Sequence, residues 1–315
     1  LRQDIVSAVW LDGIVIFSEE IELIPAAPAE ATVKMLCERL MALTEEHIRE
    51  KERILGVGIA IRGITSFDGR VVLNSFGALS CSDYPLAQRV EEYTGYSAVM
   101  SNNVRALFAA QMFLSKEREL HSQFFLRCEY GIGASLSIND RIWLGGTNQC
   151  SEIGHIPVIR RGGKPCSCGK SGCLETIASP AAIREDAICI LSPDKTPVLW
   201  KTSLVRGRDA LTVEDVLEAA SCGDSGAAEI VDRAVSALSA ALKSVIYIID
   251  PAKIVLYGRM FENDFYLTRL LAELQEGVDA GHHITTEKSA YNQLLEDRAA
   301  GLLVIEDFID NGGMQ

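Results

Sequence analysis

The sequence has no long hydrophobic run. Its longest apolar stretches, such as 245–249 and 254–257, fall far short of the ~18 residues a helix needs to cross a bilayer, which excludes a membrane-spanning helix bundle. It is also short of positive charge: 30 Lys and Arg face 43 Asp and Glu, a net charge of −13. That field repels phosphate backbones, so this chain by itself is not expected to grip nucleic acid. There is no basic-then-apolar leader, and nine cysteines, an odd number, do not make a disulfide framework, so a reducing compartment, the cytoplasm, is expected. Internal repeats and low-complexity linkers are absent. Position 1 is Leu1 rather than methionine, from which a missing N-terminal piece is expected.

What is present is an ordinary globular composition, 48% apolar and 23% charged, with 315 residues, enough for about two domains at roughly 150 residues each. The run 54–61 is short, apolar and β-branched, the signature of a buried strand in an α/β sheet. A turn at Asp68-Gly69 precedes a second strand, 85–93 reads as a helix stopped by Gly95, and a strand over 96–100 leads into a helix over 104–115. From 124 to 144 strands are joined by the turn Asn139-Asp140, interrupted at Gly131-Ile132-Gly133. A capping-box-like start at Thr212 to Asp215 and an alanine-rich helical pattern over 227–245 follow. A last buried strand is expected at 254–257 and a closing helix at about 293–308. The expectation is two α/β lobes with a cleft between them. The small lobe covers 1–103, with the C-terminal helix in 293–315 a candidate to return to it, and the larger covers 104–292.

The densest chemistry lies at Cys166-Ser-Cys168-Gly-Lys-Ser-Gly-Cys173, three thiols within eight residues on a glycine-rich loop. Thiolates with one imidazole suit zinc, and a closed structural site needs four ligands in a tetrahedron, for which His155 is the fourth candidate. A chance cluster of buried or redox-active cysteines is the alternative. Cys37, Cys81, Cys128, Cys150, Cys189 and Cys222 are scattered, and core packing is the better reading for them.

Glu152-Ile-Gly-His155 and Leu174-Glu175 flank this loop. Folding it around an ion would gather two carboxylates and an imidazole, groups that hydrogen-bond hydroxyls. Either both glutamates only brace the loop, or they line a pocket for a polyhydroxylated ligand; spacing alone leaves both open.

These residues resemble the ROK family (repressors, open reading frames and sugar kinases). Its Glu-x-Gly-His box and Cys-x-Cys-Gly-x-x-Gly-Cys-x-Glu stand here as Glu152 to His155 and Cys166 to Glu175. The resemblance is weaker but extends from Ile54 to the C-terminal helix. It implies the actin-like ATPase (ribonuclease H-like) fold, a zinc loop in the second lobe held by His155, Cys166, Cys168 and Cys173, and sugar contacts from His155, Glu152 and Glu175. Gly131 and Gly133 stand where the family has its second phosphate glycines, a degenerate phosphate loop here.

The sequence departs from the family's kinases at three places. Their Asn-Asp pair, whose Asp deprotonates the attacking hydroxyl, reads Asn102-Asn103. An amide still hydrogen-bonds a sugar but accepts no proton, forfeiting roughly 10²- to 10⁴-fold in rate. No glycine precedes the strand expected at 5–10, so the N-terminal phosphate loop is missing. Tyr257-Gly258-Arg259 stands where a glycine pair is usual. Such erosion resembles the family's repressors, which join a winged helix-turn-helix segment to this body. The expectation is the sugar-sensing and oligomerisation body of a transcriptional regulator, a homodimer or higher homo-oligomer. Its Asn102, Asn103, Glu152, His155 and Glu175 hold a monosaccharide, no catalytic residue remains, and operator DNA is met only through a missing N-terminal segment. An ATP-dependent sugar kinase and a silent sugar-binding protein are the rivals.

Overall fold

A computed structural model describes residues 3–9, 12–22, 27–50, 54–75, 79, 81–115, 122–276, 278, 284–289, 293–310 and 312. Leu1 and Trp10 lie outside the described residues. Contacts divide the chain into two compact units, one of residues 1–118, 142–150 and 292–315, the other of residues 119–141 and 151–291.

The first unit opens with an antiparallel hairpin, β1 (Gln3–Val9) and β2 (Val15–Glu22), followed by α1 (Ala29–His47). Next come β3 (Val57–Ile61) and a small antiparallel sheet of β4 (Gly63–Thr65), β5 (Val72–Ser75) and β6 (Ser82–Tyr84). The helix α2 (Leu86–Thr94) ends at Gly95, whose left-handed φ of 76° supplies the stop its position in the sequence suggests. Then β7 (Ala98–Asn102) pairs in parallel with β3, and α3 (Asn103–Leu114) follows it directly, so this helix lies past the expected boundary at 103 yet within the first unit. The strand expected over 54–61 begins only at Val57, where pairing with Ala98 starts. Val33, Ile61, Val72, Leu86, Val90 and Met100 form the core of this region, each contributing about 1.5–3 kcal/mol by leaving water.

The second unit is built on β8 (Ser122–Cys128), β9 (Ile132–Ile138) and β10 (Arg141–Ile142). Asn139 and Asp140 both take positive φ, 52° and 60°, the two-residue turn that matches strand twist. After the cysteine loop come α4 (Glu175–Ala178), α5 (Pro180–Ile190), α6 (Pro197–Arg206) and α7 (Val213–Ser221). The Thr212 hydroxyl accepts from Asp215 N–H and the Asp215 carboxylate accepts from Thr212 N–H, completing the capping box. The long α8 (Ser225–Ile249) packs on α4, α5, α7 and the later α9 (Asp264–Gln275). Between α8 and α9 runs β11 (Lys253–Tyr257), buried along its whole length and paired in parallel with β8.

That strand is not the last. β12 (Thr285–Lys288) pairs with β11 in parallel as the sheet edge, giving the order β10-β9-β8-β11-β12. Its sequence, Thr-Thr-Glu-Lys, is polar and mostly exposed, so it carries none of the apolar signal of a buried strand. The closing helix α10 (Gln293–Asp310) packs on α3, β1, β3 and β7 of the first unit. Of the scattered cysteines, Cys37 and Cys128 are buried, Cys81 and Cys150 are half-buried, and Cys189 and Cys222 are exposed. Core packing therefore fails for these last two, which fall at helix ends beyond the buried turns.

Candidate functional site

The loop between Ile156 and Leu174 folds back on itself through two antiparallel bridges, Pro157 with Cys173 and Pro165 with Ser171. Within it, Cys166 N–H donates to Lys170 O (2.8 Å) and Gly169 N–H to Cys166 O (3.0 Å), a tight knuckle presenting two thiols on one side. Cys173 enters from the return strand, and His155 from a short 3₁₀ turn over Ile153–His155. One donor atom each from His155, Cys166, Cys168 and Cys173 lies within 4.8 Å of every other. Cys166 Sγ stands 3.5 Å from His155 Nδ1, and Cys168 Sγ stands 3.7 Å from Cys173 Sγ. A tetrahedral ion with bonds of about 2.3 Å to sulfur and about 2.0 Å to nitrogen sets adjacent donors about 3.8 and 3.5 Å apart, so the donor set fits a four-coordinate metal. Burial pushes the Cys173 thiol up to about 12, aided by hydrogen bonds with Cys168 and Cys166. Cys168 resists its own burial and lies below the usual value, held there by Lys170 N–H and the other two thiols.

The head of β9 ties this loop to the glutamates. Glu175, first residue of α4, accepts the Ile132 N–H at Oε2 (3.0 Å). A Cβ on Gly131 would stand 2.4 Å from that same oxygen, so only glycine lets the carboxylate come in. A Cβ on Gly154 would stand 2.3 Å from Ile132 O, so the Glu152–His155 segment also reaches the strand only because residue 154 is glycine. Ile132 is thus approached from both flanks, its N–H bonded by Glu175 and its O packed against Gly154. Among the described residues, Glu175 Oε1 accepts no hydrogen bond, and the residue is half-buried. Glu152 is exposed, and its backbone O accepts from His155 N–H (3.0 Å).

In the first unit, Asn102 is the N-cap of α3. Its Oδ1 accepts from Val104 N–H (2.9 Å) and Arg105 N–H (3.4 Å), and its Nδ2 donates to Gly63 O (2.9 Å). Most of its polar capacity is therefore spent on the backbone. Asn103 begins the helix half-buried. The sequence reading missed Glu129, whose carboxylate accepts the Arg259 N–H (2.8 Å) at the carboxyl ends of β8 and β11. A negative charge thereby sits where α/β sheets usually receive ligands. Its separation of 130 positions from Arg259 left no local signal.

Two α/β units, a mixed five-stranded sheet and a closing helix returned to the first unit define a protein of the actin-like ATPase and sugar kinase fold. The chain belongs to the ROK family, whose model matches residues 8–301. It is 29% identical over 212 residues to a glucokinase of Halalkalibacterium halodurans, covering 67% of this chain and 63% of that protein. It is 24% identical over 252 residues to the DNA-binding transcriptional dual regulator NagC of Escherichia coli, covering 79% of this chain and 59% of the regulator. The chain thus spans about 60% of the length of these curated relatives. Among solved structures, a ROK family glucokinase from Streptomyces griseus in complex with glucose and AMPPNP superposes with a TM-score of 0.76 at 20% identity, covering 96% of this chain and 99% of that one. A ROK family transcriptional regulator, a homologue of the E. coli Mlc protein, gives 0.79 at 21%, covering 96% and 78%. Among the described residues, no helix is long and apolar enough to cross a membrane.

Proposed function

We propose that this chain is the sugar-sensing and oligomerisation body of a ROK-type transcriptional regulator, working in the cytoplasm as a homo-oligomer and binding a monosaccharide effector. Zinc is the metal assigned to His155, Cys166, Cys168 and Cys173, because three thiolates and an imidazole at tetrahedral spacing are its preferred closed structural set. An ion bound there would be met on the Nδ1 side of the His155 ring, the nitrogen that stands 3.5 Å from Cys166 Sγ. Glu152, His155 and Glu175 are the sugar contacts of the second unit, and Asn102 and Asn103 those of the first. Operator DNA is met in this reading through residues outside this chain, since a charge of −13 repels phosphate.

The observation that carries regulator over kinase is Asn103 at the start of α3, where an aspartate would be needed to take the hydroxyl proton. The rival, an ATP-dependent sugar kinase, is favoured by the near-complete overlap with the S. griseus glucokinase, 99% of that chain. A coupled phosphoryl-transfer assay on glucose, xylose and N-acetylglucosamine, run beside calorimetry on the same sugars, separates them. Binding of one sugar with turnover at background is expected. Turnover near about 1 s⁻¹ or above, the ordinary kinase range, would transfer the chain to the rival.

A further inference from the structure

Arg105 is a long cation on α3, yet it is only 5% exposed. Its guanidinium grips one residue twice, Nη1 donating to Asn148 Oδ1 and Nη2 to Asn148 O (2.9 Å). Asn148 is itself 4% exposed and held at a left-handed φ of 56°. Its Nδ2 donates to Thr65 O (2.8 Å), Thr65 Oγ1 (3.1 Å) and Ser66 O (3.1 Å). One amide therefore joins the end of β4, the first turn of α3 and the segment 142–150, all within the first unit. The chain leaves that unit at Ser151, itself at φ 70°, and the next residue is Glu152. Asn148 and Glu152 are separated by only four peptide steps, a reach of at most about 14 Å even when extended. Arg105 also lies two and three residues beyond Asn103 and Asn102.

We propose that Arg105 and Asn148 form a latch that sets effector affinity by fixing where the Glu152–His155 segment starts, Arg105 being a positioning residue that does not touch the sugar. The inference rests on the sugar-binding reading given above. A forked donor is needed because the two acceptors belong to one residue, a side-chain and a backbone oxygen, and the point charge of lysine cannot serve both with the same geometry. Burial raises the cost of losing these bonds, since the amide of Asn148 would be stranded away from water.

The test uses the full chain and two variants. Asn148→Gly tolerates the positive φ, keeps the backbone oxygen and deletes only the amide; Arg105→Lys keeps the charge and removes the fork. Affinity for glucose, xylose and N-acetylglucosamine is measured by calorimetry per folded chain, with metal content and thermal midpoint alongside. A tenfold or greater loss of affinity in either variant, at unchanged metal content, supports the latch. A parent that binds none of these sugars overturns the sugar-binding reading and the latch with it. A parent that binds one of them, with both variants within twofold of it, overturns the latch alone. Failure of both variants to fold would show a bond that holds the fold and nothing more, overturning the proposal as well.

Discussion

The polar residues at the head of β9 and those at the start of α3 are put to different use. Around β9, three thiols and an imidazole converge at the spacings found around an ion, and Glu175 spends one oxygen on Ile132. Around α3, Asn102 spends its amide on Val104, Arg105 and Gly63, and Arg105 spends its guanidinium on Asn148. The first region is built to hold something else, and the second holds itself.

The largest expected effect lies in the first region. Cys168→Ser should remove the metal and lower stability by about 3 kcal/mol or more, because binding energy at a closed site is folding energy. Elemental analysis and thermal unfolding check it, and fewer than about half an equivalent of zinc in the parent, purified without chelator, would remove the basis of the comparison. Gly154→Ala comes next, costing about 1–3 kcal/mol by forcing a Cβ to 2.3 Å from Ile132 O, and should weaken metal retention as well. Denaturant midpoints with metal content read both. A variant as stable as the parent would mean the packing of Gly154 on Ile132 is slack.

In the self-holding region the stakes are smaller. Asn102→Ala should cost about 1 kcal/mol as a lost cap, and Asn102→Asp, which still accepts from the two N–H groups but sets a carboxylate oxygen against Gly63 O, should cost less than that through the cap and about 1 kcal/mol through the lost Gly63 bond. Denaturant midpoints read both, and equal losses in the two variants would mean that the cap contributes nothing beyond the Gly63 bond. The smallest effect concerns Glu30, which accepts from Arg89, from Tyr84 O–H (2.6 Å) and from Tyr93 O–H (2.6 Å) and is thereby held at about 2, below its ordinary 4.5. A depressed carboxylate stabilises above its unfolded value and loses that contribution as pH falls through the folded one. The margin of the parent over Glu30→Gln should therefore shrink between pH 4.5 and about 2, followed by unfolding titrations at fixed pH steps.

Legibility followed the range of the contacts. The cysteine loop could be read because three of its four ligands fall within eight residues, and the Thr212 box because both partners are three apart. Nothing local announces that Glu175 bonds Ile132 or that Arg105 bonds Asn148, each pair being 43 positions apart. Polarity hid β12, and α1 passed unmarked because its apolar face is interrupted by charged residues and no side chain caps its start. Asn102 shows the subtler failure: an asparagine that reads as a ligand is also what a helix start requires.

The return of α10 has a temporal side. A Cβ on Gly58 would stand 1.7 Å from Ala300 O, so α10 lies directly against a strand made much earlier than itself. The second unit, by contrast, draws three strands of its sheet, β9, β8 and β11, from the middle of the chain. On a ribosome adding about 5–20 residues per second, β3 and β7 must wait through the making of the second unit before α10 emerges, while that unit can begin to pack sooner. The first unit is thus finished only after the strands of the second are made, and until α10 emerges it is on β3 and β7 that a chaperone would find the nascent protein most in need of cover.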